Sequence, residues 1–362
     1  MLSDAQRRRR RQLTVKTLFL LATAFLAVVL VQPPGLAGQK LSHYQATRIS
    51  MACAYTIETY GPDAESLPRV VEDAFDEVDR IDRLMSHYKP DSPLSRLNRS
   101  AAAGSVVVDA ELFEFISEAM RYSQESDGAF DTTVGPLMKA WGFFRGDGRM
   151  PSPGELAAAR RHVGARHVIL NPAAKSIGFD EPGVELDLGG IAKGYAVDRV
   201  VALLRARGIS AALISAGGST IYGLGAPPSP ATSGRRLGQV DGRDGWEVAV
   251  QDPTDARKIA RTVVLKNRAL SVAGSSEKSF EVDGVRYSHI MDPRTGMPAQ
   301  GMLGVAVLAS SGTAGDALDD AFFVLGPEGT RKMLQRLTRT EAFLFLPAPN
   351  GASTVVHLRS AR

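Results

Sequence analysis

Segments typical of strands and of helices are interspersed along this chain of 362 residues, without the regular alternation of repeated βαβ units. Apolar side chains recur at helical spacing between Pro68 and Ser86, whereas residues 47–59 alternate in the manner of a strand. Further helices are predicted from Asp109 through Tyr122 and over 189–207, 314–325 and 327–337, and further strands within 165–186 and over 211–215, 246–251, 262–266, 303–308 and 342–347. This order predicts an α+β fold with a mixed sheet flanked by helices, and it argues against a barrel.

Positive charge is concentrated at the N-terminus. The chain has 43 Lys and Arg side chains against 39 Asp and Glu, a formal net charge of +4. Residues 1–40 hold seven of the basic side chains and a single acidic one, Asp4, so the remainder of the chain is slightly acidic. Because binding to a phosphate backbone needs a basic face on the folded part, we expect no nucleic-acid partner.

The N-terminal segment has the pattern of an export signal. Five arginines, residues 7–11, precede the uncharged run 18–31, which is shorter than the roughly 20 apolar residues of a membrane span. Small residues follow, and cleavage after Ala37 would remove a signal peptide of residues 1–37. The pattern predicts an exported, periplasmic bacterial protein. The alternatives of an uncleaved anchor in the inner membrane, and of a Sec or a twin-arginine signal, stay open.

The rest of the chain is predicted to form one domain. Residues 38–46 are interpreted as a linker, 47–350 as the domain and 351–362 as a C-terminal tail. Within the domain, residues 225–244 are rich in Gly, Pro and polar side chains and have few apolar ones, which predicts a surface loop.

The stretch 187–198 places glycines at the start of a predicted helix. Gly189 and Gly190 allow the backbone to approach a ligand closely, and Lys193 adds a positive charge one turn later. A helix N-terminus favours an anion, so the pattern suits a phosphate group, although a tightly wound helix start without a ligand would look the same. The spacing is not that of a Walker loop.

The stretch 287–298 surrounds His289 with turn residues. Asp292-Pro293 followed by Thr295-Gly296 is typical of a rigid turn, which would fix the preceding histidine. The other five histidines lie in runs typical of surfaces or edges. His289 is therefore the candidate catalytic histidine, against the alternative of a structural one.

Asp316 and Asp320 are four residues apart on a predicted helix and therefore share one face. Two like charges at that spacing are unfavourable unless a cation lies between them, and carboxylate oxygens suit Mg²⁺. The alternative is an acidic first turn that complements the helix dipole. A magnesium site, a phosphate-binding helix start and a positioned histidine together indicate phosphoryl transfer.

With these motifs in place, the sequence resembles the ApbE-like FAD:protein FMN transferases over about residues 51–329. The segments that carry the resemblance are 84–92 with 95–98, 127–131 with 133–137 and 141–143, 187–198, 289–296 and 315–325. The resemblance implies an ApbE-like fold and a Mg²⁺-dependent transfer of the FMN moiety of FAD to a Thr or Ser hydroxyl, with release of AMP. It also implies a partner, an exported or membrane-bound target protein that carries the acceptor Thr.

The resemblance also implies roles for individual residues. Met51 and Tyr88 would line the adenine side, and Ala129, Phe130 and Asp131 would contact FAD. Asp187 and Lys193 would hold the nucleotide near its pyrophosphate, and the Gly190 carbonyl, Asp316 and Asp320 would bind the metal. His289 and Ile290 would lie at the phosphate–flavin end. His289 is the candidate general base, and Asp292 would orient its turn. Which of these two takes the proton stays open.

The chain departs from the family pattern at four places. Asp320 stands where the family usually has Thr, and Ser219 where it usually has Asp. Ala273 lies in Val-Ala-Gly where Thr-Ser-Gly is usual, and Ala52-Cys53 replaces Gly-Thr. These changes keep two alternatives open, a Mg²⁺-dependent FAD pyrophosphatase and a non-catalytic exported flavin-binding protein.

Overall fold

The structure of the protein is a computed structural model that describes residues 41–144, 146, 148–228, 239–240, 243–275, 278–349 and 351–361. The predicted signal peptide, 1–37, lies outside the described residues. So does most of the predicted surface loop, of which 225–228 and two short paired strands at 239–240 and 243–244 are described.

Long amphipathic segments form the helices that the spacing predicts. The α-helices are α1 Leu67–Met85, α2 Pro93–Ser100, α3 Ala110–Glu125, α4 Gly135–Ala140, α5 Pro153–Arg161, α6 Ala192–Ala206 and α7 Gly312–Leu334, with short 3₁₀ helices at Thr132–Val134 and Ala165–His167. The predicted helices at α1, α3 and α6 are confirmed, and the Asp109 side chain caps α3 by accepting the Glu111 N–H. The two helices predicted over 314–325 and 327–337 are confirmed as two segments of α7, because Gly326 adopts a non-helical backbone with φ 63° just before Pro327 and separates them.

One antiparallel sheet organises the domain. The strands are β1 Ser42–Ser50, β2 Cys53–Gly61, β3 Val106–Val107, β4 Val168–Asn171, β5 Ser176–Phe179, β6 Ala211–Ala216, β7 Thr220–Leu224, β8 Gln239–Val240, β9 Arg243–Asp244, β10 Trp246–Asp252, β11 Asp255–Leu265, β12 Arg268–Gly274, β13 Ser279–Val282, β14 Val285–Ser288, β15 Met291–Asp292, β16 Met297–Pro298, β17 Gly304–Ala309, β18 Glu341–Pro347 and β19 Ser353–Arg359. Eight of them pair in the order β1-β2-β6-β7-β12-β17-β18-β19. The α+β class is confirmed. Every neighbouring pair in this sheet runs antiparallel, so the sheet is more uniform than the mixed sheet that the sequence predicts.

Both edges of the sheet correct the predicted domain limits. The linker predicted over 38–46 overlaps β1, which begins at Ser42 and pairs with β2 along its whole length. The tail predicted over 351–362 contains β19, which pairs with β18 from Ser353 to Arg359. An edge strand has one free edge and is less buried than a central strand, so both of these strands carry many polar residues. Their sequences therefore lack the apolar pattern from which a strand is predicted.

The two faces of the sheet are covered differently. In β17, Val305 and Val307 pack into the core formed with α1, α6 and α7, whereas Ala306 and Leu308 pack under the β10–β11 hairpin. Alternate residues of a strand point to opposite faces, so a strand buried on both faces is a continuous apolar run. On the helical face, α6 packs against β6 and β7, and α7 packs against β7, β12 and β17.

Within the part of the chain that the structure describes, no helix combines the length and the apolar character that a membrane crossing requires.

Two residues of the β1–β2 turn adopt an unusual backbone conformation. Met51 and Ala52 have φ of 49° and 60°, in the left-handed region that costs an L-residue roughly 1 kcal/mol or more. Tyr55 donates a hydrogen bond from its hydroxyl to the Met51 sulfur at 3.2 Å, which holds the turn against β2. Met51 is also a candidate adenine contact, so the conformation is imposed at a candidate functional position.

We expect Ala52→Gly to raise the free energy of unfolding by about 0.5–1 kcal/mol, because glycine adopts positive φ without a Cβ clash. Urea denaturation measures the change. The matched control is Ala54→Gly, an alanine that is also exposed and lies two residues later within β2, and this change should lower stability. Equal losses in the two variants would show that the turn is not strained.

Candidate functional site

The N-terminal ends of α6 and α7 touch at two glycines. A Cβ on Gly194 would lie 2.1 Å from the Gly312 carbonyl oxygen, and one on Gly312 would lie 2.6 Å from that of Gly194. Any larger residue would therefore push the helices apart. The Asp198 carboxylate of α6 accepts hydrogen bonds from the N–H groups of Gly312 at 2.7 Å and Thr313 at 2.8 Å, and so caps α7. This contact places the second turn of α7 beside the first turn of α6.

Asp316 lies buried at this crossing. Its Oδ2 accepts the Gly194 N–H at 2.7 Å, and its Oδ1 accepts hydrogen bonds from the hydroxyls of Thr220 and Ser271, the latter at 3.4 Å. Burial raises the pKa of Asp316, while the positive charge of Lys193 and these donors act in the opposite direction. Three donors thus fix both oxygens of the carboxylate.

Thr220 and Ser271 were not predicted as site residues. They face each other across the β7–β12 pair, and both are fully buried. A Cβ on Gly315 would lie 2.6 Å from the Ser271 hydroxyl oxygen, so glycine there allows α7 to approach the strand. No local pattern in the sequence could have found these hydroxyls, because only sheet pairing and helix packing bring them to Asp316.

Two further carboxylates follow Asp316 on α7. Asp319 is buried, and its pKa lies well above the ordinary range because of burial and the neighbouring charges of Asp320 and Asp316. Asp320 is partly buried, and a Cβ on Gly190 would lie 2.5 Å from its Oδ2. The structure therefore brings Asp320 to the glycine-rich start of α6, as the predicted metal set requires. Asp319 was missed, although its spacing of three from Asp316 puts it on the same helix face.

This group of three carboxylates, Asp316, Asp319 and Asp320, is termed the acidic turn below. Burial raises the pKa of Asp316, and burial together with the charges of Asp320 and Asp316 raises the pKa of Asp319. Carboxylate and carbonyl oxygens are the ligands that Mg²⁺ prefers, and the absence of a side chain on Gly190 lets the backbone there lie close to Asp320. The donor set therefore fits a hard divalent cation.

The loop 129–131 lies next to this group. The side chains of Ala129 and Phe130 are buried, and a Cβ on Gly190 would be 3.5 Å from the Phe130 ring. The Asp131 carboxylate accepts four hydrogen bonds, which come from the Thr133 N–H, the Thr133 hydroxyl, the Ser123 hydroxyl and the Ala165 N–H. In this structure Asp131 therefore holds the loop in place, and direct contact of its carboxylate with FAD stays a prediction.

Asp187 connects this loop to the start of α6. Its N–H donates to the Thr132 carbonyl at 2.7 Å, and its Oδ1 accepts the Gly189 N–H at 2.9 Å. Its Oδ2 lies 3.5 Å from Nδ1 of His87, whose Nε2 lies 3.3 Å from Glu185 Oε2. Burial lowers the pKa of His87, but Asp187 and Glu185 outweigh it and raise the pKa to about 9.

The buried position of His87 corrects the expectation that it lies on a surface or an edge. It is only 9% exposed. Its ring is 4.7 Å from that of Phe144, which stacks on Tyr88 at 5.0 Å and 13°. Tyr88 itself is 43% exposed, which leaves aromatic surface accessible next to Asp187, as the predicted adenine side requires.

His289 lies on a different segment from the acidic turn and from His87, just before the β15–β16 turn. It is partly buried, its Nδ1 is 3.3 Å from the Lys278 carbonyl oxygen, and its ring meets the edge of Phe143. Ile290 is buried. The Asp292 carboxylate accepts hydrogen bonds from the backbone N–H and the guanidinium of Arg294 at 2.8–3.0 Å. Asp292 therefore shapes the turn, and the catalytic roles of His289 and Asp292 stay predictions.

Comparison with known proteins gives one consistent family. Residues 51–344 match the ApbE family. The chain belongs to the ApbE family. The FAD:protein FMN transferase of Treponema pallidum is 32% identical over 306 residues, covering 83% of each chain, and that of Salmonella typhimurium is 30% identical over 294 residues, covering 79% of this chain and 80% of the relative.

Solved ApbE structures share the fold. The flavin transferase ApbE from Vibrio cholerae superposes with a TM-score of 0.75 at 27% identity, covering 89% of this chain and 98% of that chain. The ApbE protein from Thermotoga maritima gives a TM-score of 0.74 at 29% identity, covering 88% and 97%. The predicted ApbE-like fold is confirmed, and the family match spans the start of α6, His289 and the acidic turn.

We expect Thr220→Val to lower the free energy of unfolding by about 1–3 kcal/mol, because it removes a hydroxyl donor from a buried carboxylate without changing the volume. Chemical denaturation measures the loss. In an Asp316→Ala background the same substitution should cost much less, because the acceptor is gone.

The matched control is Thr220→Ser, which keeps the hydroxyl and removes only a methyl group. A Thr220→Val loss of the same size with and without Asp316 would mean that the hydroxyl does not stabilise this carboxylate.

Proposed function

We propose that this protein transfers the FMN moiety of FAD to a Thr or Ser hydroxyl of a target protein and releases AMP. Two relatives named FAD:protein FMN transferase, each at least 30% identical over most of the chain, support the proposal. The observation that carries it is the acidic turn of α7, held against Gly190 at the start of α6.

The proposed metal set is the Gly190 carbonyl with the carboxylates of Asp316 and Asp320. Mg²⁺ bound there would neutralise charge on the diphosphate of FAD and make phosphorus more susceptible to attack. The fit rests on three features, namely hard oxygen donors, the buried carboxylate of Asp316, whose pKa burial raises, and a glycine where any side chain would collide with Asp320.

The chain's own residues would bind and orient the nucleotide. The N-terminus of α6 and Lys193 favour the anionic diphosphate, and the half-exposed ring of Tyr88 offers a stacking surface for adenine. Asp187 holds the glycine-rich start of α6 through the Gly189 N–H, which keeps the backbone donors of that segment oriented.

In the proposed reaction the acceptor hydroxyl oxygen bonds to the FMN phosphorus, while the bond from that phosphorus to the AMP oxygen breaks. The hydroxyl proton passes to His289, and AMP leaves as the phosphate anion. Asp292 supports His289 indirectly, because its bonds to Arg294 hold the turn that follows the histidine. Water in place of the acceptor would give FMN and AMP, the FAD pyrophosphatase reaction.

We also propose that the protein is exported and acts on an exported or membrane-bound target. The support is the arginine-rich N-terminus followed by an uncharged run of 14 residues. The slightly acidic remainder of the chain agrees with a small-molecule donor and a protein acceptor, without a nucleic-acid partner.

We expect Asp316→Asn to lower AMP release from FAD roughly a hundredfold or more, because metal assistance is worth several kcal/mol in such reactions. Asp320→Thr should retain transfer, since a hydroxyl is also an oxygen ligand. Incubation with FAD, Mg²⁺ and a target domain, followed by a denaturing gel under ultraviolet light and quantification of AMP, measures both.

The control is Asp283→Asn, on the exposed β13–β14 turn, which should behave like the unmodified protein. A fluorescent target band with AMP supports transfer, AMP and free FMN without a band indicates the pyrophosphatase, and bound FAD without AMP indicates a flavin-binding protein. Unchanged activity in Asp316→Asn would refute the metal set.

We expect Mg²⁺ to raise the melting temperature of the unmodified protein by several degrees, on the order of 5 °C at saturation, because a ligand that binds only the folded state stabilises it. Differential scanning fluorimetry with and without EDTA measures the shift. Asp316→Asn should abolish it. NaCl at the same ionic strength is the control, and an equal rise with NaCl would exclude a specific cation site.

A further inference from the structure

We propose that His87 is a positioning residue, which holds the Asp187 carboxylate and the Tyr88–Phe144 aromatic pair together as one surface for the adenine-nucleotide half of FAD. The inference rests on the proposed function for the identity of the nucleotide, and it assigns a role to a residue outside the predicted site.

His87 lies between two carboxylates. Its Nδ1 is 3.5 Å from Asp187 Oδ2 and its Nε2 is 3.3 Å from Glu185 Oε2. Both distances exceed that of a well-formed hydrogen bond, so the contacts act chiefly through charge. The side chains of His87 and Asp187 are each only 6% exposed, and attraction between charges is weakly screened in such a place.

The same imidazole contacts the aromatic pair. Its ring centroid is 4.7 Å from that of Phe144 and 6.1 Å from that of Tyr88. Phe144 and Tyr88 stack on each other at 5.0 Å. A change in the position of His87 would therefore move the Asp187 carboxylate and the aromatic surface together.

The charges around His87 balance only when it is protonated. The groups that face it are Asp187, Glu185 and Tyr88, and Lys139 pairs with Glu185 at 2.6 Å while its Nζ lies 5.3 Å from the Phe144 ring centroid. Burial raises the pKa of Tyr88 to about 12, so its hydroxyl stays neutral. Two carboxylates then face two cations, and the loss of the imidazolium leaves one negative charge beside the binding surface of an anionic nucleotide.

The direction of the pH dependence follows from the pKa of His87, which is about 9 in the folded protein against an ordinary 6.5. In the folded protein the imidazolium therefore persists through neutral pH and is lost as the pH rises through about 9. Nucleotide affinity that depends on it should be constant near neutral pH and decline as the pH rises through about 9.

The test compares His87→Gln with the unmodified protein by titration of FAD, followed by quenching of flavin fluorescence, from pH 6.5 to 9.5. We expect His87→Gln to raise the Kd for FAD about tenfold at pH 7. We also expect kcat at saturating FAD to change much less than KM. The unmodified protein should lose affinity towards pH 9.5, and His87→Gln should lack that decline. Ionisation of FAD itself affects both proteins and cancels in the comparison.

The control is His357→Gln, a histidine that also pairs with a glutamate, Glu341 at 3.3 Å, but on the β18–β19 edge. It should bind FAD with the Kd and pH profile of the unmodified protein. A Kd and a pH profile for His87→Gln that match the unmodified protein would overturn the proposal.

Two further outcomes separate the proposals. Should His87→Gln fail to fold, the unmodified protein alone decides, and an affinity that does not decline between pH 8 and 9.5 overturns the positioning role. The other outcome is that the unmodified protein binds FAD with an affinity that declines as the pH rises through about 9, but releases no AMP and labels no target. In that case the transferase proposal fails and the positioning role of His87 stands.

Discussion

The burial of Asp316 is the constraint on which the site depends. A carboxylate removed from water costs free energy unless donors replace the water, and here the Gly194 N–H and the hydroxyls of Thr220 and Ser271 do so. These donors come from α6, β7 and β12, so the carboxylate requires three elements to meet. The meeting is sterically allowed because glycine stands where α6 and α7 touch.

Two further carboxylates on α7 add negative charge next to Asp316. Asp316, Asp319 and Asp320 lie within two turns, and burial together with their mutual repulsion raises the pKa of Asp319 well above the ordinary range. A fold optimised for stability alone would not keep such a group, because apolar residues of similar volume would pack at lower cost. The proposed cation site would explain why the chain keeps this group of carboxylates.

Periodicity and motif spacing predicted most of the interior. The apolar spacing of α1, the glycine-rich start of α6 and the continuous apolar run of β17 all correspond to observed elements. The first half of the edge strand β1 was interpreted as a linker and the edge strand β19 as a tail, because a strand with one covered face and one free edge keeps polar residues at many positions. His87 was misjudged for a related reason, since its burial comes from Glu185 and Asp187, about a hundred residues later.

Local sequence therefore determined the main helices and the buried strands, the glycines at the start of α6 and the spacing of Asp316 and Asp320, since these depend on periodicity, helix geometry and backbone freedom within a few residues. Tertiary packing alone decided which groups share a site. The hydroxyls of Thr220 and Ser271, and the ion pairs of His87, join residues 45 to 100 positions apart. Such contacts have no period in the sequence, because they arise where separate strands and helices meet.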